Sequence, residues 1–106
     1  MEIKEILTSA PRMQEIDPGH TYVETDGGQT IQFIKRTNGE LVTSGATNES
    51  LLEILIHRTE YLHRLFPCVE NENALVAMKH ALFQFDSRTL KRRAQGVETQ
   101  DKAHVS

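Results

Sequence analysis

Two helical segments are predicted by residues 48–96, NESLLEILIHRTEYLHRLFPCVENENALVAMKHALFQFDSRTLKRRAQG, folding back on each other at FPCVENEN, Phe66–Asn73. In the first, residues 48–65, leucine and isoleucine recur at helical spacing over a wide apolar stripe. The second, residues 70–95, has apolar and alanine side chains on neighbouring faces, and Gly96 is the expected terminator. The expected N-cap is Thr47 or Asn48 for the first helix and Asn71 or Asn73 for the second. Because the connection is short, the helices are predicted to be antiparallel neighbours.

The residues before the helices predict β-structure between positions 20 and 43. Three strands are expected, His20–Thr25, Gln29–Arg36 and Glu40–Thr43, because β-branched and aromatic residues alternate with polar ones between turn signals. Asn38-Gly39 is the strongest hairpin signal among those turns. The natural interpretation is a three-stranded antiparallel meander.

The whole chain is therefore predicted to be a single α+β domain over residues 1–106. A small antiparallel sheet of about three strands precedes a long antiparallel two-helix hairpin. Residues 1–19 give no clear secondary-structure signal, since apolar residues there are interrupted by Pro11, Pro18 and Gly19. Residues 97–106 are interpreted as a loose polar tail.

Composition excludes several classes of protein. With 12 Lys and Arg against 15 Asp and Glu, the formal charge is −3, which argues against a binder of duplex nucleic acid. Cys68 is the only cysteine, so no intrachain disulfide is possible and a cytosolic protein is expected. No apolar run approaches the ~20 residues that cross a bilayer, and the N-terminus lacks the pattern of a secretory signal.

The first helix carries more apolar surface than one partner helix can cover. Leu52, Ile54, Leu55 and Ile56 extend almost around it. Either the sheet covers this surface on one side and another subunit covers it on the other, or a hydrophobic surface is left in water, and the first arrangement is favoured. The sequence therefore predicts a dimer at least.

Metal and enzyme interpretations find little support. Glu60-Tyr61-Leu62-His63 spells E-x-x-H, half the pattern of dinuclear carboxylate centres, which need a second such motif and four helices. Cys68 has no obvious base to activate it and is interpreted as a packing residue. Since the chain has neither a Walker loop nor G-x-G-x-x-G, no cofactor and no catalytic residue is predicted.

A ligand-binding interpretation starts from Arg88 and Arg92. Four residues apart, they share a helix face, and two guanidinium groups side by side suit a diphosphate. Their spacing alone is better explained by basic side chains that complement the helix C-terminus. A nucleotide site would also need an aromatic platform, an amide and further cations, which Tyr61, Asn71 and Arg36 would supply. Asn71 and Arg88 are about 25 Å apart along one helix, so if these groups bind one ligand they must meet across a subunit interface.

Four short patterns together resemble a known family. They are T-N-x-x-L-L from Thr47, I-x-R-x-x-Y-L from Ile56, F-P-C-x-E-N from Phe66 and R-T-x-x-R-x-x-x-G-V-E from Arg88. Over about residues 30–98 the chain resembles the first-described type of the Thoeris anti-defence family. Members of that family are phage-encoded proteins that sequester a signalling nucleotide, and they are called sponges. The resemblance implies a small antiparallel sheet with two long helices, no catalytic activity, and sequestration of glycocyclic ADP-ribose made by TIR-domain proteins.

The resemblance also implies an assembly and a set of binding residues. Members of the family are dimers with the ligand at the dimer interface, and some form hexamers that also hold cyclic trinucleotides. By position, the base-stacking aromatic falls on Tyr61, the base-reading asparagine on Asn71, and the phosphate-binding arginines on Arg36, Arg88 and Arg92. The cytoplasm of an infected bacterium is then the expected location. Alternatives that stay open are a sponge for cyclic di- or trinucleotides, a ligand-free interaction hairpin and, last, a small metal or hydrolytic enzyme.

Overall fold

The structure, a computed structural model, describes residues 11–96. The predicted tail at residues 97–106 and the first ten residues of the predicted N-terminal segment lie outside the described residues. In chain order the elements are β1 Met13–Asp17, β2 Thr21–Glu24, β3 Thr30–Gln32, β4 Lys35–Thr37, β5 Glu40–Thr43, α1 Asn48–Leu65 and α2 Val69–Ala94. This is the predicted α+β class, a small antiparallel sheet followed by a two-helix hairpin. Internal contacts divide the chain into two compact units, one built on β1–β3 and the other on the helices.

The sheet contains three antiparallel strands, but they are not the three that were predicted. Its order is β1-β2-β3, and β4 pairs with β5 in a separate two-stranded sheet. The predicted strand Gln29–Arg36 is divided at Phe33, whose backbone bridges to Ala46. The amide of Ala46 donates to the carbonyl of Gln32 at 2.8 Å, and the amide of Ile34 donates to the carbonyl of Ala46 at 2.9 Å, so the segment before α1 hydrogen-bonds to the chain where the predicted strand is interrupted.

A close backbone approach explains the glycine at position 45. A Cβ on Gly45 would collide with the backbone carbonyl of Gln32. Beside it, the rings of Tyr22 and Phe33 pack edge to face with centroids 5.8 Å apart. Ring packing of this kind stabilises a small sheet beyond the area that it buries. Gly45 is therefore required where the chain leaves the sheet.

The turn between β4 and β5 is the one that Asn38-Gly39 predicts. Asn38 has a φ of 53° and Gly39 a φ of 77°. Positive φ at both central residues is the geometry of a type I′ turn, which matches the twist of the paired strands.

The helix termini are capped by side chains. Thr47 and Ser50 form a reciprocal capping box at the start of α1, as the prediction of Thr47 or Asn48 allowed. The N-cap of α2 is Cys68, whose Sγ accepts from the amide of Asn71 at 3.4 Å. The prediction that Asn71 or Asn73 caps α2 is wrong, because Cys68 is the cap and the helix begins at Val69, one residue before the predicted start.

Two polar contacts connect the antiparallel helices α1 and α2. Lys79 Nζ lies 3.1 Å from Glu60 Oε2, and the Thr89 hydroxyl donates to Glu49 Oε2 at 3.5 Å. Among residues 11–96 only Ile56 is buried, at 7% exposure, so the hairpin by itself encloses a very small core. Neither helix is long and apolar enough to cross a membrane.

Candidate anion-binding site on the second helix

The C-terminal half of α2 lines a cavity of about 420 Å³. This volume falls in the usual range of small-molecule sites, roughly 300–1,000 Å³. The lining side chains described are Gln84, Phe85, Ser87, Arg88, Lys91, Arg92 and Gln95. The two arginines singled out by sequence therefore border the same cavity, together with a third cation.

Arg88 and Arg92 differ in their surroundings. The guanidinium carbon of Arg88 lies 5.8 Å from the centroid of the Phe85 ring, an attractive cation–π arrangement. Arg88 is exposed and Arg92 is half-buried. The Arg88 guanidinium thus contacts the Phe85 ring, and the Arg92 side chain is partly buried. Both arginines line the cavity. Two guanidinium groups on adjacent helical turns can each donate two hydrogen bonds to a phosphate.

Basic residues are concentrated at the C-terminal end of α2. Lys91, Arg92 and Arg93 occupy the last turn of α2, where cations complement the partial negative charge of the carbonyl groups. The amide of Gly96 donates to the carbonyl of Arg93 at 3.0 Å, and the φ of Gly96 is 72°. Gly96 therefore ends the helix as predicted. Complementing the dipole and lining the cavity are compatible roles for the same side chains.

Sequence reasoning missed four polar members of this site, one of which is Ser87. Gln84, Lys91 and Gln95 line the cavity but were not proposed as ligand residues. With Arg88 they follow the spacing i, i+4, i+7, i+11, which places polar side chains along one face of a helix. That spacing was a usable signal for a polar helix face. It shows that the face carries amide groups and a lysine as well as guanidinium groups.

Tyr61 and Asn71 lie at the other end of the hairpin. Tyr61 is in the last part of α1 and is 54% exposed, and Asn71 is half-buried in the first turn of α2. Since α2 is continuous from Val69 to Ala94, Asn71 and Arg88 are separated by about 25 Å. One small ligand does not reach both within a single chain.

The fifth predicted residue, Arg36, lies in β4 and is exposed. Its Nη1 donates to the carbonyl of Gly39 at 3.4 Å, across the turn between β4 and β5. Of the five predicted ligand residues, the structure brings only Arg88 and Arg92 together within one chain.

The residues considered for metal binding or catalysis have structural partners. Glu60 pairs with Lys79, and His63 Nδ1 lies 3.3 Å from the amide of Cys68. Cys68 is exposed and caps α2, so its interpretation as a packing residue is wrong. Among residues 11–96 no group of three or more His, Cys, Asp or Glu is placed to hold a metal ion. The arginine-lined cavity is therefore the candidate site that this part of the chain offers.

Comparison of the chain with protein-family models, with curated proteins and with solved structures gives no match.

Proposed function

We propose that this protein is a sponge of the Thoeris anti-defence type, which binds glycocyclic ADP-ribose without degrading it. The ligand is a cyclic nucleotide that carries a diphosphate, so it needs cations, a platform for its base and a donor that reads the base edge. By holding the signal, the protein would keep the defence effector inactive in the cytoplasm of the infected host.

One observation carries the proposal: Arg88, Arg92 and Lys91 border the same cavity as Phe85. Three cations around one cavity favour an anionic ligand with more than one charged oxygen, which matches a diphosphate. Phe85 and the amide side chains of Gln84 and Gln95 add apolar and hydrogen-bonding surface. A nucleotide is a better fit to this mixture than a simple inorganic anion.

The distance between the two ends of the hairpin supports a shared site. Asn71 lies about 25 Å from Arg88 along α2 of one chain, so it would contact the same nucleotide only if it came from a second copy, which would also supply Tyr61. Exposed apolar residues on α1 provide surface for such a contact, since Ile54, Leu55 and Leu65 are each about half exposed or more. The proposed active unit is therefore a homo-oligomer with each site made from two chains.

Complementation between two defective variants tests this arrangement. Arg88→Ala/Arg92→Ala removes one half of the proposed site, and Tyr61→Ala/Asn71→Ala removes the other. Neither variant alone should bind glycocyclic ADP-ribose in calorimetry. After subunit exchange, a mixed dimer would contain one intact site, so an equimolar mixture should recover about one quarter of the wild-type capacity.

Two controls are needed to interpret the recovery of binding in the mixture. Wild-type protein passed through the same exchange should keep its full capacity, and each variant exchanged with itself should stay inactive. A mixture that binds no better than either variant would contradict a shared site. Preferential binding of a cyclic di- or trinucleotide by the wild type would replace the proposed ligand while leaving the shared site intact.

A further inference from the structure

The α2 helix carries a second exposed feature, formed by residues that do not line the arginine-lined cavity. Val69, Val76, Phe83 and Leu90 recur every seven residues, and each is between 59% and 71% exposed. We call these four residues the α2 stripe. A strict seven-residue repeat drifts by only about 20° per repeat around a helix, so the four side chains form one line.

The stripe is separate from the face that α2 turns toward α1. Half-buried residues on α2 follow the spacing Leu75, Met78, Leu82 and Thr89, which is the packed side of the helix. Val76, Phe83 and Leu90 each follow one of those residues directly, which places them about 100° further around the helix. Four large apolar side chains in a line are thus left in contact with water.

Charges beside the stripe indicate what covers it. Along one flank run Glu72, Lys79, Asp86 and Arg93, which alternate in sign at the same seven-residue spacing. We infer that the stripe is an antiparallel contact between the α2 helices of two copies of this chain, centred on Phe83. In that register Val76 lies opposite Leu90 of the second copy, and Phe83 meets its own counterpart.

The charged row is complementary to itself in the same register. A two-fold axis perpendicular to the helices brings like flanks together, so Lys79 faces Asp86 of the second copy and Glu72 faces Arg93. Lys79 already pairs with Glu60 of its own chain, and an ammonium group with three donors can serve both carboxylates. A parallel pair would instead set the charged row against the row of Asn73, His80 and Ser87, which carries no matching alternation. The charges therefore favour the antiparallel pair.

This contact is independent of the proposed ligand. It uses a different face of α2 from Arg88 and Arg92, so the protein would have two self-contacts and could form assemblies larger than a dimer. Nucleotide binding and the stripe contact can each fail without the other.

Disulfide trapping tests the contact between the two α2 stripes directly. In a Cys68→Ser background, which removes the only native thiol, Phe83→Cys should form a disulfide-linked dimer under mild oxidation. Val76→Cys alone should form little, whereas an equimolar mixture of Val76→Cys and Leu90→Cys should form the mixed dimer. Glu53→Cys, an exposed position on α1, is the control and should stay monomeric on a reducing-agent-free gel.

Charge exchange then tests the register. With Phe83→Cys as reporter, Lys79→Asp or Asp86→Lys should each reduce the initial trapping rate by about tenfold, because each dimer has two copies of the pair. Combining the two changes should restore the rate, although the ion pair with Glu60 stays broken. Arg88→Ala/Arg92→Ala should leave trapping unchanged.

Three results would overturn the inference. They are trapping of Val76→Cys with itself at the rate of the mixed pair, equal trapping at the Glu53 control, and a double charge exchange as slow as the single changes. Each would mean that the stripe is covered in another register, by another segment or by a different partner.

Discussion

The guanidinium carbon of Arg88 lies 5.8 Å from the centre of the Phe85 ring, and both side chains border the same cavity. The ring face attracts the cation and restricts its orientation, which lowers the entropy lost when the guanidinium binds a phosphate. Phe85 is thus expected to act on the ligand both by contact and through Arg88.

Replacing that ring should weaken nucleotide binding modestly. Phe85→Leu keeps an apolar side chain and removes the cation–π partner, so we expect a loss of about 0.5–1 kcal/mol in calorimetry. Phe83→Leu is the matched control, since Phe83 lies on the α2 stripe and should leave the affinity unchanged. Equal losses for both variants would show that ring volume, and not the contact with Arg88, is responsible.

Replacing Arg88 or Arg92 should weaken nucleotide binding. Arg88→Ala or Arg92→Ala is expected to cost roughly 1.5–3 kcal/mol of binding free energy, the value of a charge-assisted hydrogen bond. Arg64→Ala provides the control, because Arg64 is a basic residue in the last turn of α1 and complements a helix dipole in the same way. Unchanged affinity in both cavity variants would contradict their role in nucleotide binding.

Nucleotide binding should depend on the ring of Tyr61 and not on its hydroxyl group. Tyr61→Phe keeps the face on which a base stacks, and we expect affinity within about twofold of the wild type, whereas Tyr61→Ala should lose about 1–3 kcal/mol. Fluorescence titration with a nucleotide analogue would measure both. A large loss in Tyr61→Phe would instead assign the contact to the phenolic oxygen.

Gly45 should be the most sensitive glycine in the sheet unit. Gly45→Ala places a methyl group against the carbonyl of Gln32, and overpacking of this kind is expected to lower the free energy of unfolding by about 1–3 kcal/mol. Gly27→Ala is the matched control, since its Cβ would meet Glu24 Oε1 and Gln29 Cγ at ordinary distances of 3.7 and 3.8 Å. Urea denaturation of the two variants compares them, and similar midpoints would contradict the close approach.

The helical hairpin could be predicted because its signals are local. Helical spacing of leucines, a capping threonine before α1 and a glycine after α2 each act within one or two turns. The cap of α2 was wrongly predicted because a thiol is an unusual cap and asparagine is the more common choice. Cys68 takes that place in the structure because its backbone is extended directly before Val69.

The sheet was only partly predictable because strand pairing is not local. Met13–Asp17 has weak alternation and was not assigned, yet it pairs with β2 over most of its length. Phe33 and Ile34 continue an apolar run, but Ala46 forms hydrogen bonds with this stretch from beyond the next hairpin and divides the strand. The cavity residues Lys91, Gln84 and Gln95 were not predictable as a site because lysine and amide side chains at helical spacing are common on any solvent-facing side of a helix, and only the folded chain places them around a cavity.

The central claim is that the protein holds glycocyclic ADP-ribose and returns it unchanged. The direct measurement incubates the nucleotide with excess protein, filters out the protein, and quantifies the nucleotide by mass spectrometry before and after heat denaturation. We predict depletion from the filtrate and full recovery of the unmodified nucleotide after heating, with no depletion by Arg88→Ala/Arg92→Ala. Recovery of a cleaved product, or an undepleted filtrate at micromolar protein, would contradict the claim.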